Sequence, residues 1–197
     1  MAEFLWVVAA YFLGSIPFGL VFARCAQGID PRLAGSGNIG ATNIARLCGF
    51  GWGVCTLACD LGKGFAAAGI ASCINPDAVF VTLAALAVVT GHRWSCFTGF
   101  QGGKAVAASI GIFLPLAFWQ TVVAVVLCVA CILRSGFVSA GSLTFVASLP
   151  LLLLLTGVWR FIPLALVVAV MVVMAHEANI LRLLRGEEKS WRKKQTT

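Results

Sequence analysis

The chain has 197 residues, of which 60% are apolar and only 11% charged, with a mean hydropathy of +0.99. Soluble domains carry about 25% charged and about 45–50% apolar residues, so a water-soluble globule, a disordered chain and a DNA-binding domain are excluded. The net charge of +7 comes from 14 Lys and Arg against 7 Asp and Glu on an oily chain, which is the pattern of a polytopic membrane protein with basic loops. At roughly 20 residues per span, at most about eight helices fit, with no sizeable soluble domain, so one integral membrane domain over 1–197 is expected.

Phe4 to Ala23 carries no charge and is long enough to cross. Glu3 precedes it and Arg24 follows it, the reverse of a signal peptide, so this stretch reads as a span with the N-terminus outside. Gly51 to Ser72 is apolar except for Asp60 and Lys63, and Ala78 to Gly91 is apolar and a little short. Ala105 to Leu133 runs uncharged with Pro115 and Gln120 inside it; Ser135 to Trp159 and Phe161 to Ala175 complete the set.

The long run 105–133 decides the topology. As one kinked helix it gives six spans and splits the basic residues between the two faces. As two short helices turning near Pro115–Gln120 it gives seven. Arg24, Arg32, Arg46, Arg93, Lys104, Arg134, Arg182, Arg185, Lys189, Arg192, Lys193 and Lys194 then share one face, with only Arg160 opposite and Lys63 inside a span. The positive-inside rule selects the second version. The expected fold is therefore all-α and polytopic: seven transmembrane helices, two short ones in the middle, N-terminus outside and C-terminus cytoplasmic. Local thinning of the bilayer would accommodate the short pair.

Eight cysteines suggest a disulfide scaffold until they are placed. Cys55, Cys59, Cys128 and Cys131 fall inside spans. Cys25, Cys48 and Cys96 fall on the cytoplasmic side, where thiols stay reduced, and Cys73 alone approaches the outside. Cys128 and Cys131 spell CxxC but sit mid-membrane without a His or carboxylate beside them, so they read as small hydrophobes.

Polar residues collect in three inner segments. The first, 34–43, reads AGSGNIGATN, with Arg46 three residues on. Its small residues let the backbone approach an anion, and successive N–H groups can form a phosphate nest. Ser36, Asn38, Thr42 and Asn43 add side-chain donors, and Arg46 adds a fixed charge. The run ends in no Gly-Lys-Ser/Thr and is not a Walker loop; a flexible capped turn is the bland reading. The second segment ends Gly102-Gly103-Lys104 at the mouth of a helix, where the helix N-terminus and the lysine both suit an anion. Its bland reading is an interfacial loop with a snorkelling lysine. In the third, His176 and Asn179 share a helix face at i, i+3. A titratable ring beside an amide suits phosphate or a hydroxyl. HxxN lacks the acidic partner of a metalloprotease helix, and with two histidines and no carboxylate cluster neither a metal nor another cofactor is expected. Asp60 and Lys63, at i, i+3 within a span, read either as local glue or as part of a site. The tail 185–197 reads as solvated or lying on anionic lipid, without a catalytic role.

Three anion-friendly segments on one face predict a cytoplasm-facing pocket at the bilayer boundary, where a small phosphorylated molecule meets a lipid. At GSGNIGATN (35–43) with Arg46, DLGKG (60–64), GH…F…GGK (91–104), RSGFVSAGS (134–142) and HEANIxRLLxGxE (176–188), the chain resembles the bacterial acyl-phosphate-dependent glycerol-3-phosphate acyltransferase family, the PlsY type. The resemblance covers nearly the whole chain. It implies a seven-helix protein of the bacterial inner membrane that moves a fatty acyl group from acyl phosphate to the 1-hydroxyl of glycerol 3-phosphate. The products are lysophosphatidic acid and phosphate, in the first step of phospholipid synthesis. By the same resemblance Ser36, Gly37, Asn38, Gly40, Thr42 and Asn43 cradle the acyl phosphate. Arg46, Lys104, His176 and Asn179 hold glycerol 3-phosphate, with Gly102 and Gly103 in its binding loop. The partners implied are these two substrates and membrane lipid, with no nucleic acid. A substrate phosphate oxygen takes the hydroxyl proton, or His176 does. Three positions depart from the family pattern: Ile39 and Ser95 stand where Pro is common, and Ala105 where Gly is common. A transporter of organophosphates would share the basic inner pocket, but no polar path or inverted repeat is visible. A structural membrane subunit would leave the three motifs unexplained.

Overall fold

The computed structural model describes residues 1–192. Among these it is all-helical, with ten α-helices, two short 3-10 turns and no strand. The helices fall into two compact units, Met1–Leu116 and the described part of Ala117–Thr197.

The first unit holds α1 (Ala2–Ser15), α2 (Phe18–Gln27), α3 (Ala41–Cys48), α4 (Phe50–Ile74), α5 (Ala78–Arg93) and α6 (Val106–Leu116). The first expected span is broken where Pro17 lacks an N–H and forces Ile16 out of helical geometry, to ψ 115. Its two pieces still make one apolar stretch, Ala2–Gln27. Asp77 starts α5 by accepting from the amides of Val79 and Phe80 at 3.0 Å each. Lipid tails are as apolar as leucine, so helices here associate by close backbone approach at small residues. That is how α1 meets α5, with Gly14 on the Val88 carbonyl, and how α4 meets α6. Gly64 lies against the Ala108 carbonyl and Gly111 against that of Leu61; a Cβ at either position would enter the partner's backbone.

The second unit holds α7 (Phe118–Ser135), α8 (Val138–Leu155), α9 (Ile162–Ala175) and α10 (Glu177–Leu184). Gly136, at φ 81, turns α7 into α8. The axis bends by 63° between α9 and α10, at His176.

Five stretches are long and apolar enough to span a membrane, and a sixth if the bent pair Trp159–Leu184 is one span; Val106–Leu116 is apolar but shorter. The run 105–133 divides at Ala117 (φ −154), within the expected turn near Pro115–Gln120. Because the helix restarts at once, α6 has 11 residues and α7 has 18, so only the first of the expected short pair is short. The tail, expected to be solvated or lying on anionic lipid, is mostly exposed over its described residues but is tied down by hydrogen bonds. The Trp191 amide donates to the Gly136 carbonyl at 3.0 Å, so residues up to Arg192 fold back on the α7–α8 corner. The remainder of that tail, with Lys193 and Lys194, lies outside the described residues. All eight cysteines are free thiols.

Candidate functional site

In the first unit the loop between α2 and α3 is built around one side chain. Asn43, 2% exposed, accepts from the Ser36 amide at 2.8 Å. Its Nδ2 donates to the carbonyls of Asn38 (2.8 Å), Pro31 (3.0 Å) and Ala34 (3.2 Å). Asn38 Oδ1 in turn accepts from the Gly40 amide at 2.7 Å. Gly35 adopts φ +63, and a Cβ there would enter the Asn43 carboxamide. Only glycine satisfies both conditions.

The amides of Ser36, Gly37 and Gly40 thus already serve the loop. Of the amides expected to form an anion nest over 34–43, those in the first turn of α3 are left for it. There the amides of Ala41 and Thr42 have no intrahelical acceptor by helix geometry, and the helix end favours negative charge. Ser36 and Gly37 are exposed at the loop's tip, Thr42 is half-buried and Arg46 projects exposed from α3. Ile39, standing where the family commonly has Pro, is buried with its carbonyl against Gly19. The Asn43 carboxamide supplies the stiffness a proline would give.

The second segment packs on the first. Asp30 holds Arg32 through Oδ2–Nη2 at 2.6 Å, and Arg32 Nη1 donates to the Thr98 carbonyl at 3.4 Å. The Arg32 guanidinium, bonded directly to Asp30, holds that carboxyl down at about 2. Ser95, also at a common proline position, has φ −70; its hydroxyl donates to the Ser15 carbonyl and accepts from the Phe97 amide. Beyond it, Gly102 and Gly103 return along the end of α5. Their amides donate to the carbonyls of Arg93 (3.1 Å) and His92 (3.0 Å). Lys104 follows, half-buried, and Ala105 adopts φ 64 before α6 begins. A left-handed alanine is strained by about 1–2 kcal/mol, which is the cost of having Ala where the family commonly has Gly.

In the second unit, His176 sits buried at the α9–α10 bend. Its Nδ1 lies 2.8 Å from the Val172 carbonyl, so Nδ1 carries a proton and donates to it. Asn179 and Arg182 converge on Glu188. Its Oε1 accepts from Asn179 Nδ2 at 2.5 Å and from the Ser139 hydroxyl at 2.7 Å, and its Oε2 accepts from Arg182 Nε at 2.7 Å. Burial pushes the Glu188 carboxyl up, but the bonds from Ser139, Arg182 and Asn179 outweigh it and hold the carboxyl below its ordinary range. Glu188 falls in the tail expected to be solvated or lying on anionic lipid. Its only sequence signal was the motif spacing, because the bonds that bury it come from α8 and α10.

A family model described as glycerol-3-phosphate acyltransferase matches residues 4–186. The chain belongs to the glycerol-3-phosphate acyltransferase family. A protein of that name from Desulfovibrio desulfuricans is 58% identical over 193 residues, covering 98% of this chain and 86% of its own. One from Lawsonia intracellularis is 49% identical over 190 residues, covering 96% of each. The fold is that of a crystal structure of PlsY (YgiH), an integral membrane glycerol 3-phosphate acyltransferase, in its glycerol 3-phosphate form. The TM-score is 0.94 at 35% identity, over 97% of this chain and 96% of that one. The lysophosphatidic acid form of PlsY matches at 0.91 and 35% identity, over 96% and 95%. The chain is thus an acyltransferase of the multi-pass membrane class, in phospholipid biosynthesis, with the family's motifs on its three polar segments.

Proposed function

We propose that this acyltransferase takes its acyl group from acyl phosphate and delivers it to the 1-hydroxyl of glycerol 3-phosphate. Lysophosphatidic acid and inorganic phosphate are the products. The observation that carries the reading is the close match to PlsY in its glycerol 3-phosphate form, together with two motif loops fixed by internal hydrogen bonds. In this reading 1–197 is a single domain of seven spans in the bacterial inner membrane. Its N-terminus is outside, and its C-terminus and motif loops are on the cytoplasmic side.

Ser36, Gly37, Asn38, Gly40, Thr42 and Asn43 form the acyl-phosphate cradle, with Asn43 acting through the loop it ties together. Arg46, Lys104, His176 and Asn179 hold glycerol 3-phosphate, with Gly102 and Gly103 shaping its loop. The 1-hydroxyl oxygen attacks the acyl carbonyl carbon, and the bond from that carbon to the phosphate oxygen breaks. Phosphate leaves with the electron pair and accepts the hydroxyl proton on an oxygen. The protein contributes positioning and charge stabilisation. With Nδ1 of His176 engaged by Val172, that residue meets substrate through Nε2, and the His176→Gln variant decides whether it also takes the proton.

Phosphate release by the purified protein tests the reading. Release should require both acyl phosphate and glycerol 3-phosphate and collapse in Lys104→Ala. No release from folded protein overturns the reading, as does counterflow of labelled glycerol 3-phosphate into vesicles. Retention of most kcat in His176→Gln supports the substrate as proton acceptor; loss of kcat by about a hundredfold or more would make His176 the base.

A further inference from the structure

Three buried titratable side chains take no part in the chemistry above. Asp60 and Lys63 lie on α4, 4% exposed each, and His92 lies in the last turn of α5, 5% exposed. Lys63 Nζ is 2.8 Å from Asp60 Oδ1 and donates at 3.0 Å to the Ile16 carbonyl, which also accepts from the Phe18 amide at 3.1 Å. Asp60 Oδ1 also faces His92 Nδ1 at 3.5 Å. Charges placed within a span are costly and tend to serve a purpose.

What distinguishes this cluster is what rests on it. The His92 carbonyl receives the Gly103 amide, and the Arg93 carbonyl receives that of Gly102. A Cβ at position 103 would fall on the His92 imidazole at Nε2, so the ring is the floor on which Gly103 lies. The next residue is Lys104. The ring therefore underlies the loop that carries the ammonium, and Asp60, fixed by Lys63, faces its Nδ1, which has no hydrogen-bond partner among the described residues.

We propose that His92 is a positioning residue for Lys104: its imidazole, oriented by the buried Asp60–Lys63 pair, holds the Gly102–Gly103 strand at the height glycerol 3-phosphate binding requires. This rests on the reading of Lys104 as a glycerol 3-phosphate ligand. Misplacement of a binding group by about 1 Å can cost up to about a hundredfold.

The test is phosphate-release kinetics on the full-length protein in nanodiscs, with thermal unfolding in parallel, for His92→Ala, His92→Asn and Asp60→Asn. His92→Ala and Asp60→Asn should raise KM for glycerol 3-phosphate by about tenfold or more, lower kcat less, and leave KM for acyl phosphate near wild type. His92→Asn keeps an N–H near the place of Nδ1 but not the Nε2 end beneath Gly103, and should recover part of the loss. Folded variants with wild-type KM for glycerol 3-phosphate overturn the proposal. So does equal damage to both KM values without rescue by His92→Asn, or failure of both His92 variants to fold, since each makes His92 a structural pin. Inactive wild-type protein would instead sink the reaction assigned above, so the two failures are distinguishable.

Discussion

Replacing Asn43 by Asp changes one atom type and almost no volume, yet it should disable the first loop. In the wild type Oδ1 accepts from Ser36 and the two Nδ2 hydrogens serve the carbonyls of Asn38, Pro31 and Ala34. Asn43→Ala strips a partner from all of these. Ser36 is exposed and rehydrates, but Pro31 is buried and Asn38 half-buried, and they do so poorly. At about 1–2 kcal/mol for each such group, the loop loses about 2–4 kcal/mol. Asp keeps the Ser36 bond but has no donor, and it sets a negative charge against three carbonyl oxygens. Asn43→Asp should therefore be at least as damaging as Asn43→Ala, although it is the closer mimic in shape. At tenfold per 1.4 kcal/mol, the loss corresponds to an apparent affinity for acyl phosphate weaker by about thirtyfold or more. Phosphate release measured against acyl-phosphate concentration, at saturating glycerol 3-phosphate, reads this as a raised KM. A near-wild-type KM in Asn43→Asp beside an impaired Asn43→Ala would refute the view that the carboxamide's donors organise the loop.

Lys63→Met leaves Asp60 charged and uncompensated within the bundle and should destabilise by about 3–5 kcal/mol in thermal unfolding, with part of that recovered in the Asp60→Asn, Lys63→Met double variant. Glu188→Ala removes the acceptor of Ser139, Asn179 and Arg182; hydrogen exchange over 186–192 should quicken and KM for glycerol 3-phosphate should rise, whereas a solvated tail would show neither. Asp30 has a folded pKa of about 2 against an ordinary 3.8, so the stabilisation from its pairing with Arg32 is fully present above the ordinary value and is lost as pH falls through about 2. A carboxyl titration by NMR should find its midpoint near 2, and a midpoint near the ordinary value would show that the pair does not form.

Some of this was legible along the chain because it depends on quantities that are local and additive. Hydropathy over a window located the apolar helices to within a few residues: Gly51–Ser72 is a helix over Phe50–Ile74, and Ala78–Gly91 one over Ala78–Arg93. The distribution of basic residues signalled that the run 105–133 is not one helix. The small-residue and basic runs marked the loops, and their spacing carried the family, which needs no knowledge of what touches what. The backbone break at Ile16 was equally written in Pro17, though its use was not.

The tertiary structure decided everything that depends on partners distant in sequence. Nothing in GSGNIGATN says that Asn43 faces inward to tie the loop while the tip stays exposed; that follows from how α3 packs. Asp60 and Lys63 read as a local pair until α5 brought His92 against them and laid Gly103 on its ring. Glu188 read as one more tail charge until α8 and α10 surrounded it with donors. A hydrogen bond or ion pair is worth what its geometry and burial make it, and neither is a property of the residue alone. Hydrophobic length is such a property, so the sequence by itself determined the membrane helices and the family, and only packing decided which polar residues act and which hold them in place.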